Sequence, residues 1–256
     1  MAEGACEKRE IWCGRGAARL YGVACIPEGR KRKPLVIFSH ELGNSHTAGL
    51  PYAERLAAAG YAAYAFDFRG GSRGANRSGG SSTDMSVITE LDDLETVLSE
   101  AVSWDFADPD RIILFGGSQG GVVSALTGCR HPDRTAGMIL MYPPFMLPEV
   151  MREMFPSRDL IPERFDLFGG WIFLGRRYAA DVWDMDLYEE LPGYPGDVLM
   201  LHGDMDHRVD ISVSEKAAGM FRHCELRVIK GGKHGFTREQ FEEASGHILE
   251  FMERYR

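Results

Sequence analysis

Gly116-Gly117-Ser118-Gln119-Gly120 sets one serine at the centre of a G-x-S-x-G pentapeptide. The apolar run Ile112-Ile113-Leu114-Phe115 precedes it, and the helix-compatible Val122-Val123-Ser124-Ala125-Leu126 follows. Strand, tight turn and helix in that order make a nucleophile elbow. Residues two before and two after the serine crowd together in such a turn, and glycine avoids the clash. The turn lifts the Ser118 hydroxyl above the sheet edge. It also puts the next amide N–H groups at a helix N-terminus, where developing negative charge is favoured. The competing reading is an ordinary helix cap at Ser118. A second match, Gly70-Gly71-Ser72-Arg73-Gly74, also follows an apolar run, Ala62 to Phe68. Its continuation, Ala75-Asn76-Arg77-Ser78-Gly79-Gly80-Ser81-Ser82, cannot start a helix and reads as a mobile loop, so Ser72 is a decoy.

A serine hydroxyl needs a base to take its proton. After Leu226-Arg227-Val228-Ile229 comes Gly231-Gly232-Lys233-His234-Gly235-Phe236, and His234 is the candidate base. After Val198-Leu199-Met200-Leu201 comes His202-Gly203-Asp204-Met205-Asp206-His207-Arg208-Val209, offering Asp204 and Asp206 as the acid that would orient it. Acid and base thus lie just past strand ends, at the edge of a sheet where sites form. Spacing does not separate the two carboxylates. His202 and His207 lie too near the acid in sequence to serve as the base, and His131, His223 and His247 fall at helix ends or surfaces. No pair has metal-ligand spacing with a matching carboxylate, so neither a metal nor a cofactor is expected. Oxyanion stabilisation needs two converging N–H donors. The Gln119 amide is one, and Leu42, in the loop Ser39-His40-Glu41-Leu42-Gly43-Asn44, is the candidate for the other.

The elements that position these residues alternate. Leu20 to Ile26, Leu35 to Phe38, Ala62 to Phe68, the run before Ser118, Met138 to Met141, Val198 to Leu201 and Leu226 to Ile229 read as strands. The basic cluster Arg30-Lys31-Arg32-Lys33-Pro34 reads as a solvated hairpin end. Helices are predicted near Tyr52 to Ala59, stopped by Gly60, and across Ser86 to Ser103, where Val87, Leu91, Leu94, Leu98 and Ala101 form one apolar face. A last helix starts at Thr237, with Gln240 completing a capping box. The alternation implies an α/β class with a mostly parallel sheet covered on both faces. About 55 residues separate the strand ending near Tyr142 from the one starting at Val198, far beyond an ordinary connection. This segment is Met-rich between Met146 and Phe155 and holds Phe165, Phe168, Trp171, Phe173, Tyr178 and Trp183. It reads as an inserted lid over 144–193, within a single domain spanning 1–256. The alternative is a peripheral subdomain with its own core.

Hydrophobic residues make up 44% of the chain and charged residues 26%, as in a globular protein, and the net charge of −9 gives nucleic-acid binding no electrostatic support. No stretch is long and apolar enough to span a bilayer, and residues 1–10 lack the apolar segment of a signal peptide, which points to the cytoplasm. The five scattered cysteines (6, 13, 25, 129 and 224) read as free thiols.

Ser39-His40-Glu41-Leu42-Gly43, Asp67-Phe68-Arg69-Gly70, Gly116 to Gly121, His202-Gly203-Asp204-Met205-Asp206 and Gly232-Lys233-His234-Gly235-Phe236 together resemble bacterial α/β-hydrolases over nearly the whole chain. The cinnamoyl/feruloyl esterase group is nearest, with dienelactone-hydrolase-like and prolyl-oligopeptidase-like relatives further off. The resemblance implies an α/β-hydrolase fold with an inserted lid and a Ser118, Asp206, His234 triad. It favours Asp206 over Asp204, because H-G-x-x-D is the family arrangement. It also implies an insert after the sixth main strand that shapes a pocket for a phenolic ring, with Trp171, Phe173 and Tyr178 as candidate pocket residues. Glu41 departs from the family, which has Gly there, and puts a Cβ and a carboxylate in the oxyanion loop. Serine at 118 sets the chain apart from relatives with a Cys or Asp nucleophile. The expectation is a serine carboxylesterase acting on small acyl or aryl esters, hydroxycinnamoyl esters being the sharpest case. A small peptidase or amidase of the prolyl-oligopeptidase type is the enzymatic alternative, and a non-catalytic binding protein on the same fold is the other. The partner expected is a small-molecule ester, with no nucleic acid or membrane, and exposed lid aromatics are candidates for a homodimer contact.

Overall fold

A computed structural model of the chain describes residues 6–29, 31–74 and 76–256. Arg30 of the basic cluster, Ala75 of the glycine-serine loop and residues 1–5 of the N-terminus lie outside the described residues. Eight strands form the central sheet: β1 (Glu7–Cys13), β2 (Leu20–Ile26), β3 (Lys33–Ser39), β4 (Ala62–Phe66), β5 (Ala107–Gly117), β6 (Gly137–Met141), β9 (Asp197–Gly203) and β10 (His223–Ile229). Their order is β1-β2-β4-β3-β5-β6-β9-β10. The β1/β2 and β2/β4 pairings are antiparallel and the rest parallel.

The continuous apolar runs mark strands buried on both faces, and the period of two divides their side chains between two layers. Leu35 and Ile37 of β3, with Ile112 and Leu114 of β5, enter one apolar cluster. Val36, Phe38, Ile113 and Phe115 enter the other. The first layer is closed by α2 (Val87–Ala101), α3 (Gln119–Arg130) and α6 (Ile211–Met220), the second by α1 (Leu50–Ala58) and α7 (Arg238–Met252). Each fully buried Leu, Ile or Phe contributes roughly 1.5–3 kcal/mol. Helix ends follow local chemistry. Ser86 and Thr89 form a capping box at α2, Thr237 and Gln240 another at α7, and Gly60 turns the chain after α1 at φ 97°.

The strand order changes direction between β3 and β5. From β3 the chain runs through α1 to β4 on one side, then through α2 back to β5 on the other. Such a switch point opens a crevice at the strands' C-terminal ends, which here carry the Ser39–Asn44 loop and Ser118.

Two readings of the sequence change. The turn before β3 is not a hairpin end, because β4 pairs with both β2 and β3 and stands between them. The loop after β4 is fastened rather than free. Ser78 Oγ donates to Asp67 O at 2.6 Å and accepts from Tyr21 N at 2.9 Å, while Asn76 Nδ2 donates to Phe68 O at 2.6 Å.

The segment between β6 and β9 contains α4 (Leu147–Met154), a hairpin of β7 (Arg164–Leu167) and β8 (Ile172–Gly175), and α5 (Arg176–Val182). It rests on the loop leading into α2. Ser86 Oγ donates to Asp181 Oδ2 and Ser82 Oγ to Phe173 O, each at 2.6 Å. A Cβ on Gly175 would stand 1.9 Å from Thr83 O, so that close approach requires glycine. Among the described residues no helix is long and apolar enough to cross a membrane, and all five cysteines carry free thiols.

Candidate active site

Ser118 sits between β5 and α3 at φ 49° and ψ −122°, a strained backbone for a residue with a side chain. The elbow closes because its flanks are bare. A Cβ on Gly116 would stand 2.0 Å from Gly120 O, and one on Gly120 would stand 2.2 Å from Ser39 O. Ser118 N donates to Met141 O at 2.8 Å, tying the turn to the end of β6. The residue is 9% exposed, and its hydroxyl opens into a cavity of about 420 Å³.

His234 lies beyond β10, on a turn with Gly231 and Gly235 at positive φ. Ser118 Oγ donates to His234 Nε2 at 2.9 Å, and His234 Nδ1 donates to Asp206 Oδ2 at 2.7 Å. Asp206, beyond β9, also takes the N–H groups of Arg208 at 2.9 Å and Val209 at 3.1 Å on Oδ1. Burial by itself would raise the Asp206 pKa. Hydrogen bonds from His202, His234 and the Val209 amide outweigh it and hold the carboxyl well below the usual range. An ionised Asp206 keeps the His234 proton on Nδ1 and leaves Nε2 free to accept one. Asp204 takes the Gly231 amide at 2.5 Å and braces the loop that bears His234. The carboxylate against the imidazole is Asp206.

His202 is fully buried, with Nε2 donating to Val209 O at 2.9 Å and Nδ1 2.7 Å from Ser214 Oγ. His40 is equally internal. Phe68 N–H donates to its Nε2 at 3.1 Å, so Nδ1 carries the proton and donates to Glu41 O at 2.8 Å. Burial lowers the His40 pKa, and the neutral ring fixes the loop that holds Leu42. Gly43 N donates to Gly71 O at 2.7 Å and Arg73 N to Gly43 O at 3.1 Å, so the decoy loop of Ser72 buttresses that same segment.

Leu42 and Gln119 both line the cavity beside Ser118. Among the described residues, neither backbone N–H donates an internal hydrogen bond, which leaves both available to a ligand oxygen. The Glu41 carboxylate is also on the wall. Asn44 Nδ2 donates to its Oε2 at 2.9 Å and the Tyr142 hydroxyl to its Oε1 at 3.3 Å, stretching it across Gly117. Tyr142 itself packs against His234 with ring centroids 4.7 Å apart. Burial pushes the Tyr142 hydroxyl well above its ordinary pKa, so it stays a donor.

The segment between β6 and β9 supplies much of the remaining wall. Met146, Met151 and Met154 line the cavity from α4 and its start, joined by Leu167, Trp171 and Tyr178. Phe173 does not. On β8 it alternates with buried Ile172 and Leu174, so it faces outward at 43% exposure under the Arg164 guanidinium. Trp171 stacks beneath Arg73 at 4.6 Å, and Phe168 beneath Arg208 at 4.8 Å. Tyr142, the methionines and Arg208 carried no motif. Position at the C-terminal end of β6 was the one signal that pointed to Tyr142.

Known proteins place this architecture. Est1E from Butyrivibrio proteoclasticus superposes with a TM-score of 0.82 at 22% identity, covering 96% of this chain and 98% of that one. Its ferulic-acid-bound form gives a TM-score of 0.83 at the same identity and coverage. The esterase domain of a Rhodothermus marinus protein gives 0.74 at 16% identity over 97% of this chain and 99% of that one. At these identities the likeness is one of fold. The quorum-quenching protein AidA of Acinetobacter baumannii is 32% identical over 113 residues, 43% of this chain but only 35% of that relative's length. The family model for serine aminopeptidase, S33, matches residues 30–164, more than half of the sequence. The chain therefore belongs to the serine aminopeptidase S33 family of α/β-hydrolases.

Proposed function

We propose that this protein is a serine carboxylesterase in which Ser118, His234 and Asp206 act as a triad. The observation that carries the reading is the unbroken hydrogen-bond chain from Ser118 through His234 to Asp206, opening on a cavity of about 420 Å³. Ser118 Oγ attacks the ester carbonyl as its proton passes to His234 Nε2. The oxyanion is received by the N–H groups of Leu42 and Gln119, the second at the N-terminus of α3. Collapse breaks the ester C–O bond, and the departing alcohol takes the proton from His234. Water then attacks the acyl-enzyme, gives its proton to His234, and releases the acid as Ser118 is restored. One chain supplies every group in this scheme.

The segment 144–193 serves as a lid whose inner face sets substrate preference. Methionines adapt to irregular shapes, and Trp171 and Tyr178 suit an aromatic acyl group. A hydroxycinnamoyl ester is the specific substrate class we assign, in keeping with the ferulic acid bound to Est1E. Peptidase action is the second reading. It is favoured by the family match and by the Glu41 carboxylate, a counter-charge for an amino group on the cavity wall.

Turnover of methyl ferulate, p-nitrophenyl butyrate and an aminoacyl p-nitroanilide by wild type and Ser118→Ala tests the assignment. Ester cleavage that disappears in S118A is expected, with methyl ferulate preferred. Preference for the anilide would replace the esterase reading by the peptidase one. No turnover of any of the three, with no labelling by a fluorophosphonate, would overturn both.

A further inference from the structure

Behind the elbow lies a buried carboxyl group that the proposed reaction does not use. Glu90, in the first turn of α2, is 1% exposed. Gln119 Nε2 donates to its Oε2 at 2.7 Å, and the Tyr178 hydroxyl of α5 donates to Gln119 Oε1 at 2.6 Å. The same Nε2 lies 3.6 Å from Met85 Sδ. The side chain of the residue that presents the proposed oxyanion N–H is therefore gripped at both ends, from α2 and from the segment between β6 and β9. The other Glu90 oxygen, Oε1, has no hydrogen-bond partner among the described residues. It lies beside Gly71, on which the His40 ring also packs. A Cβ placed on Gly71 would stand 3.2 Å from Glu90 Oε1 and 3.0 Å from His40 Cε1. Gly71 O holds Gly43 N and His40 Nδ1 holds Glu41 O, the two bonds that shape the loop of Leu42. Both arms of the oxyanion hole thus converge on this one side chain.

We propose that Glu90 is a positioning residue that sets both oxyanion donors, acting through the Gln119 side chain on one arm and against Gly71 on the other, with Tyr178 coupling the segment between β6 and β9 to the same point. The proposal rests on the esterase reading above. Glu90 works as the neutral acid. Burial pushes its carboxyl up to about 8, the Gln119 bond pulls against that, and nearby Asp93 pushes it further. The charged and titratable groups around it favour the uncharged form too. Asp93 faces it from the next turn of α2, its charge answered by Arg69 from the loop after β4, whose Nε donates at 2.6 Å. His40, after β3, is held neutral by burial, and Tyr178, from α5, is pushed above its ordinary range by the same cause. Ionising Glu90 would place a negative charge behind an oxyanion and oppose the charge that develops there.

The test is the pH profile of kcat and KM for p-nitrophenyl butyrate with wild type, Glu90→Gln, Glu90→Leu and Tyr178→Phe. Glutamine copies the neutral acid in shape and accepts the same bond from Gln119. It is expected to keep neutral-pH kcat within about twofold and to lose the alkaline fall expected of wild type near pH 8. Leucine leaves Gln119 Nε2 without its acceptor. It should lower kcat about tenfold with KM within about twofold, because a displaced oxyanion donor weakens the transition state alone. Y178F should share the kcat loss. An active wild type whose alkaline fall persists in E90Q, or kcat unchanged in both E90L and Y178F, overturns the proposal while leaving the esterase reading intact. If E90L does not fold, E90Q and Y178F decide. An inert wild type without fluorophosphonate labelling removes the esterase reading and this proposal with it.

Discussion

Replacing Asp206 by Asn changes one atom of the hydrogen-bond chain, and the structure says what must follow. Oδ1 is held by two backbone N–H groups, from Arg208 and Val209, so the oxygen of the new amide takes that side. Its NH₂ then faces His234 Nδ1, which in the wild type donates to Asp206 at 2.7 Å. Two donors cannot share that bond. The imidazole must move its proton to Nε2, and Nε2–H can no longer accept the proton of Ser118. Loss of the correct tautomer in a triad costs about 10⁴ in kcat, which is about 5.5 kcal/mol at 1.36 kcal/mol per factor of ten. Asp204→Asn is the matched control. Its oxygen bonds only the Gly231 amide, and an asparagine oxygen accepts that bond as well, so activity should fall less than about threefold. The assay is kcat/KM for p-nitrophenyl butyrate at neutral pH, with circular dichroism to establish folding. A folded D206N enzyme within about tenfold of wild type would refute the tautomer argument. Greater damage from D204N would move the acid to the other carboxylate.

Trp171→Ala removes a cavity-wall ring while Phe173→Ala removes an outward-facing one, so KM for methyl ferulate should rise about tenfold in W171A and stay within about twofold in F173A. Equal effects would contradict the alternation along β8. Gly120→Ala sets a Cβ against Ser39 O and should yield an inactive protein with a lowered Tm, a result overturned if G120A keeps wild-type turnover. Asp206, with its pKa depressed on folding, contributes stability that is present above its unfolded value of 3.8 and lost as pH falls through the folded one. Glu90 has the opposite sign. Its contribution is complete below 4.5 and is lost as pH rises toward about 8, at about 1.4 kcal/mol per pH unit. Denaturant titrations across that window should show a flatter profile for E90Q than for wild type, and parallel profiles would count against the buried acid.

Much of this molecule is legible in its local patterns because each rests on a rule that acts over a few residues. Two-sided burial makes β3, β5, β6 and β9 continuous apolar runs. A capping box announces α7. The glycines around Ser118 are required by atoms that the elbow itself brings into contact. His234 and the Asp204/Asp206 pair stand out because they follow strand ends, and parallel strands deliver those ends to one edge. Strand β1 and helix α6 lack this transparency. The first opens on the charged run Glu7 to Glu10, which is largely exposed, and the second has only two fully buried positions, Ser214 and Ala217, one of them polar.

What the chain decides by itself is therefore most of the central parallel strands with the helices beside them, the strained serine and the family of chemistry they serve. The choice between Asp206 and Asp204, the outward turn of Phe173, the cavity placement of three methionines and the meeting of Glu90, Gln119 and Tyr178 belong to the tertiary structure. Spacing assigns a residue to an element and a face. A hydrogen bond at 2.7 Å depends on how separate elements pack, and Glu90 and Tyr178 stand 88 residues apart in a sequence that gives no sign of their convergence on Gln119.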